Sequence, residues 1–431
     1  MTLRNRRIAV VTLPICAAII FRSAWFAGAG DLNPPAGPVA PTPGPEPRIA
    51  INATNTPGDA NSLFKITAPG SYYLTGNIIG VAGKHGIEIA AGGVKFAAGG
   101  VTLDLNGFDL LGLVGGTLDG VSATLALQSN IAVVNGSVRG WGDQGVDLGT
   151  VSTTNCRVEG VLASGNGGFG ISTSTGIGSG STVSNCSAYQ NGSNGISIGS
   201  GSTVSNCTAY QNTGVGIITG VGSTVLNCAA DNNTNGGINT DGFCTVTNCS
   251  AYQNGTYGFS AGTGSSVTNC TAYNNTANGI SANNGCTISN CSAYQNSTNG
   301  ISVTGGSTVT DCTARVNTND GILCTSACVI RGNTCASNGN GGVGAGIHAT
   351  SNDNRIEGNN CTGADTGIDV DSVGNFIIRN SCASNVTDWD IAANNVYGPI
   401  IDRRAPASAA VVGFTAASSL GSTEPNANFS Y

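Results

Sequence analysis

The chain has 431 residues, more than a single ordinary globular domain needs, so several domains or a repeat array is expected. Only 9% of residues are charged while 40% are hydrophobic, which excludes a disordered polyelectrolyte, and 66 glycines then imply regularly spaced turns. A net charge of −7 without a basic stripe excludes nucleic acid and acidic membrane surfaces as partners, and one methionine with two histidines leaves little for a transition-metal centre.

The N-terminus reads as an export signal. Arg4, Arg6 and Arg7 precede the mostly apolar run Ile8–Ile20, and Ala27-Gly28-Ala29 offers a small-x-small cleavage site. The run is shorter than the roughly 20 apolar residues of a membrane span, so residues 1–29 are assigned as a signal peptide and no membrane span is expected. Seven prolines between residues 33 and 47 then predict an extended polyproline spacer, giving a linker over 30–48.

Beyond the spacer the dominant feature is a period. Cys186, Cys207, Cys228, Cys249, Cys270, Cys291 and Cys312 are 21 residues apart, and Cys335, Cys361 and Cys382 extend the series at wider steps. Cys156 precedes it by one coil plus an insertion. Asn185, Asn191, Ala188 and Gly195 each head a column with the same step. A 21-residue period is too short for helix-pair repeats, and the leucine pattern of leucine-rich repeats is missing. Alternation such as Gly195-Ile196-Ser197-Ile198 is strand-like, and asparagine and glycine punctuate it at sharp bends.

Short strands separated by bends every 21 residues describe coils stacked about 4.8 Å apart. The predicted architecture is all-β, a right-handed parallel β-helix of 12–14 coils over 86–401, with an N-terminal cap at 49–85 and a C-terminal cap or tail at 402–431. The tandem Ala90-Ala91-Gly92-Gly93-Val94 and Ala97-Ala98-Gly99-Gly100-Val101 predict an outward loop. The Asn-Cys-x-Ala and Asn-Gly-Ile columns, with Val101-Thr102-Leu103-Asp104-Leu105-Asn106-Gly107, resemble the pectate-lyase-like right-handed β-helix superfamily.

That resemblance implies fold more than activity. Polygalacturonase-like sites use Asn-Thr-Asp, Asp-Asp, Gly-His-Gly and Arg-Ile-Lys. This chain offers Asn317-Thr318-Asn319-Asp320, Gly346-Ile347-His348 and Arg355-Ile356-Glu357, and no Asp-Asp pair. No cofactor is expected, and calcium enters only under a lyase-like reading with Asp369, Asp371 and Arg379 as candidates.

Column logic supplies the remaining expectations. Cysteines should point inward as unpaired small hydrophobes, because parallel Cβ atoms one coil apart are too far for a disulfide. Asn-Cys-Ser/Thr sequons such as Asn185 should be closed off at the bends. Tyr189, Tyr210, Tyr252, Tyr273 and Tyr294 should face outward, with Asp231 interrupting them; they are the candidate substrate-binding residues for a sugar polymer. His348, Asp369 and Asp371 should share one outer face and are the candidate catalytic group, with Glu357 pairing Arg331 nearby. The expected protein is a secreted or cell-surface scaffold binding polysaccharide or another surface glycan. The alternative is a polysaccharide lyase or glycoside hydrolase.

Overall fold

The computed structural model describes residues 48–91, 100–113, 115–125, 127–149, 153–173, 180–339, 342–402, 409–411, 414–417 and 424–430, with side chains from 403 to 423 outside the description. The signal peptide, nearly all of the proline-rich linker and most of the tandem at 90–101 lie outside the described residues. Among the described residues every regular element is a strand.

Each regular coil carries three short strands. In one coil these are Thr182–Ser184, Ser187–Tyr189 and Ile196–Ile198. The first and second are separated only by Asn185 and Cys186, and Asn185 turns the chain with φ 54°. Gln190, also at φ 54°, ends the second strand, and Gly201 at φ 61° marks the third corner. Asparagine tolerates this left-handed conformation better than most residues with a side chain, which explains its column. Each strand pairs in parallel with its equivalent one coil on, so that Val183 lies beside Val204, Ala188 beside Ala209 and Ile196 beside Ile217.

The third strands form one 15-stranded parallel sheet beginning at Ser62–Ile66 and ending at Thr387–Ile391. The expected 12–14 coils fall short because stacking starts inside the predicted cap. Ile49–Ala50 pairs with Tyr72 and Tyr73, and Gly70–Tyr73 pairs with Val101–Asp104. Those early coils lack the cysteine column that reveals the period. At the other end the order of the chain is broken. Asn428–Ser430 lies between Ser381–Ala383 and Ile400–Asp402, parallel to both.

The interior is apolar on all three faces, with Val183, Ala188, Ile196 and their equivalents buried. The corners instead carry inward polar groups, each capping a backbone N–H of the preceding coil. Asn191 N–H donates to Asn212 Oδ1 at 3.1 Å, and Asn191 Nδ2 donates to the same oxygen at 2.9 Å and to the Ala163 carbonyl at 3.1 Å. This ladder runs from Asn166 to Asn338. A second corner uses Ser181, Ser202, Ser223, Cys244 and Ser265 in the same way. Cysteine lines the remaining corner, where Cys186 N–H points at Cys207 Sγ at 3.5 Å.

That corner corrects the cysteine count. After Cys312 the column passes to Asn333, Asn359, Asn380 and Asn428. Cys335, Cys361 and Cys382 belong to the neighbouring alanine column, in register with Ala314. Cys156 likewise sits in the serine column, its N–H donating to Ser181 Oγ. A small inward side chain suits both kinds of place, so cysteine spacing alone merges them. All 15 described cysteines are buried, and none forms a disulfide. Burial pushes the Cys156 and Cys324 thiols up, which keeps them protonated and slow to oxidise. The sequon asparagines differ from expectation. Asn185 and Asn206 are exposed, because the left-handed bend turns them outward as it turns the next cysteine in.

Candidate functional site

The 15-stranded sheet positions the charged residues. On each of its strands the residue after the buried aliphatic points outward. In register this column runs through Ser260, Ser281, Ser302, Leu323, His348, Asp369 and Asp390. These positions are half-buried, so the face is accessible there. Towards the N-terminus the same column holds Glu88, Ser122, Asp147 and Ser172, all buried.

His348 is gripped from two sides. Its Nδ1 lies 3.2 Å from Asp320 Oδ2, one coil earlier, and its Nε2 lies 3.0 Å from Asp371 Oδ2, one coil later. Asp369 Oδ2 is 3.9 Å from the same Nε2. Asp320 is itself fixed, since its N–H donates to Asn299 Oδ1 and its Oδ1 accepts the Ala345 N–H at 2.8 Å. The Asp320 carboxylate, ahead of Asp371 and the charge of Asp369, raises the His348 pKa to about 9 against the cost of burial. Burial raises the Asp369 pKa to about 6, and the positive charge of His348 offsets it only in part.

The structure therefore brings His348, Asp369 and Asp371 together and adds Asp320, which column reasoning missed. The signal was its place two residues before the buried Ile322, where Asn278 and Asn299 stand in earlier coils. Chemically, a histidine protonated to about pH 9 is a fixed positive charge at neutral pH. Asp369 is the group whose proton affinity lies nearer neutrality, as general acid–base work requires. Side-chain atoms of His348, Asp369 and Asp371 lie within 4.8 Å of one another, so one cation would fit their donor set once the imidazole gives up its proton. Two oxygens and an imidazole suit several divalent ions and select none.

Glu357 does not pair as expected. It takes Arg355 at 2.7 Å and Arg379 at 3.0 Å, because Arg355 shares its strand and Arg379 reaches back from the next coil. A second histidine lies at the other end of the same sheet. His85 Nδ1 is 3.4 Å from Asp119 Oδ2, and Lys65 bridges Glu88 and Asp59 beside it. An open cavity of about 360 Å³ around Asn338, Gly363 and Asp365 includes none of His348, Asp369 and Asp371.

The tyrosines form two runs. Tyr189 and Tyr210 stack with centroids 4.8 Å apart and planes at 5°. Tyr252, Tyr273 and Tyr294 stack at 5.0 and 5.3 Å. Inner rings thus spend their faces on each other and offer edges and hydroxyls to solvent. Free faces remain only where a run ends.

A family model described as a right-handed β-helix region matches residues 120–268. The protein is a right-handed parallel β-helix. No curated protein sequence matches this β-helix. Solved structures similar to it include the A-module of the Azotobacter vinelandii mannuronan C-5 epimerase AlgE6, at 15% identity and TM-score 0.45, covering 73% of this chain and 91% of that one. The periplasmic alginate epimerase AlgG is 12% identical with TM-score 0.38, covering 77% and 81%. The pectate lyase Pel9A is 17% identical with TM-score 0.30, covering 77% and 78%.

Proposed function

We propose that this β-helix is an extracytoplasmic scaffold that binds polysaccharide along its outer faces. The observation that carries the reading is the repeated outer surface of the regular coils, which bears few charges. Thr203, Thr224 and Thr245 line the first face, Thr208, Ser250 and Thr271 the second, and Ser260, Ser281 and Ser302 the third. Hydroxyls that recur along each face suit a polymer whose own hydroxyls repeat. Export rests on the basic and apolar segments before Gly30. A glycan array with the purified chain tests the reading, and the absence of binding to every glycan class would refute it.

A second reading, a polysaccharide lyase or hydrolase, is favoured by one observation, the Asp369 carboxyl beside a doubly anchored His348. Product analysis on any array hit separates the two. An enzyme releases oligosaccharides, and Asp369→Asn abolishes the release while leaving binding intact.

A further inference from the structure

We propose that the break in the tyrosine column is a binding notch for an amino-sugar unit of a polysaccharide. The inference rests on the polysaccharide reading above and names the kind of unit.

Asp231 stands in register with Tyr210 on one side and Tyr252 on the other. The two tyrosine runs therefore end in faces that look toward each other across two coil steps, about 9.6 Å. A group centred between them lies about 4.8 Å from each ring. That is inside the roughly 6 Å reach of a cation over an aromatic face, and it matches the 4.8–5.3 Å at which the column stacks its own rings.

The floor of the notch carries a carboxylate. Asp231 is half-buried, and its Oδ1 is shut off from solvent with no hydrogen-bond partner among the described residues. Burial pushes its carboxyl up, with the Asn232 backbone N–H opposing, so a cation placed over the outer side of the carboxylate offsets the desolvated charge. The same coil departs from the repeat at two other outward places. Ala229 replaces the hydroxyls of Thr208 and Ser250, and Leu226 those of Ser205 and Thr247. Ala229 lowers the floor beside Asp231, and both replacements make the coil less polar around a single anionic group.

A pyranose bearing an ammonium group answers each feature. Its apolar C–H faces meet the two tyrosine faces, and its ammonium meets Asp231. N-acetylation removes the charge and adds bulk. A lysine side chain supplies the charge but no ring to fill both faces.

The test is calorimetric titration of the full chain with a fully deacetylated chitosan oligosaccharide, its N-acetylated chitin counterpart, a cellulose oligosaccharide and trilysine. The chitosan oligosaccharide is expected to bind about tenfold or more tighter than the other three, the weight of one cation held by a carboxylate and two rings. Asp231→Asn should erase that preference. Asp231→Tyr continues the stack, should melt no lower than the parent, and should also lose the preference, which separates binding from folding. Neutral sugars binding with no preference for the amine would overturn the notch and leave the scaffold reading standing. Trilysine binding as tightly as the amino sugar, and depending on Asp231, would overturn the sugar assignment in favour of a peptide. No sugar binding at all would overturn both readings.

Discussion

Ile238 and Asn239 are adjacent in sequence and opposite in fate. Ile238 is buried in register with Ile217 and Phe259, while Asn239 is half-exposed on the outer face. Ile238→Ala should cost about 2–5 kcal/mol through the cavity it leaves, and Asn239→Ser less than about 0.5 kcal/mol; denaturant melts check both. The histidine gives a pH test. Its folded pKa, raised to about 9 from 6.5, means that the Asp320–His348 pair stabilises the fold fully below about pH 6.5 and that this contribution is lost as pH rises through about 9. Asp320→Asn should therefore lower stability at pH 6 and converge on the parent near pH 10. An NMR titration should show the His348 imidazole of the variant moving back toward its ordinary value. At this scale the outward placement of His348 and Asp369 was legible, because both follow a buried isoleucine. Asp320 was not legible as a partner, since 28 residues separate it from His348 and no local pattern joins them.

The corner ladders decide the stability of each coil. Asn254 Oδ1 accepts the Asn233 N–H and Nδ2, and Asn254 Nδ2 donates to the Ala230 carbonyl. Asn254→Ala strands these buried groups and should cost about 2–5 kcal/mol, by the price of unmade buried hydrogen bonds. Asn248, exposed at its bend with φ 54°, should cost only about 1 kcal/mol as alanine, chiefly backbone strain. Thermal melts of the two variants rank the ladder against the bend. Gly237 shows the same tightness, since a Cβ there would meet the Gly258 carbonyl at 2.5 Å and Asn254 Nδ2 at 2.8 Å. The strands and bends of the regular coils were readable from the sequence because every column repeats. The change from cysteine to asparagine at Asn333 was not, because both side chains fit the corner and only the register tells which column a cysteine occupies.

Across the whole stack, support is passed from coil to coil, and Asn428–Ser430 pairs with the strands of the last described coil. Asn428 Oδ1 accepts the Asn380 N–H, and Trp389 Nε1 donates to Ser430 Oγ. Deleting residues 424–431 should uncover Ser381–Ala383 and Ile400–Asp402 as free edges, lower the melting temperature and raise light scattering, as unpaired strand edges do. The early coils were the part least legible at this scale, because Leu103, Leu105 and Leu110 fill their core without a fixed period. The regular coils raise a different matter. Along the middle of the stack each rung lies 21 residues from the next, so a slip by one rung replaces asparagine by asparagine and valine by valine. Such a zip has no preferred tooth. The coils at either side of it do, with rungs 25 residues apart at Cys156–Ser181 and 26 at Cys328–Asn354. A slipped fastening that reaches these coils must strand four or five residues as a kink, so the odd teeth act as keys that admit one alignment. Trimming both insertions to the common step should leave the core chemistry intact and yield a mixture of chains fastened one tooth out.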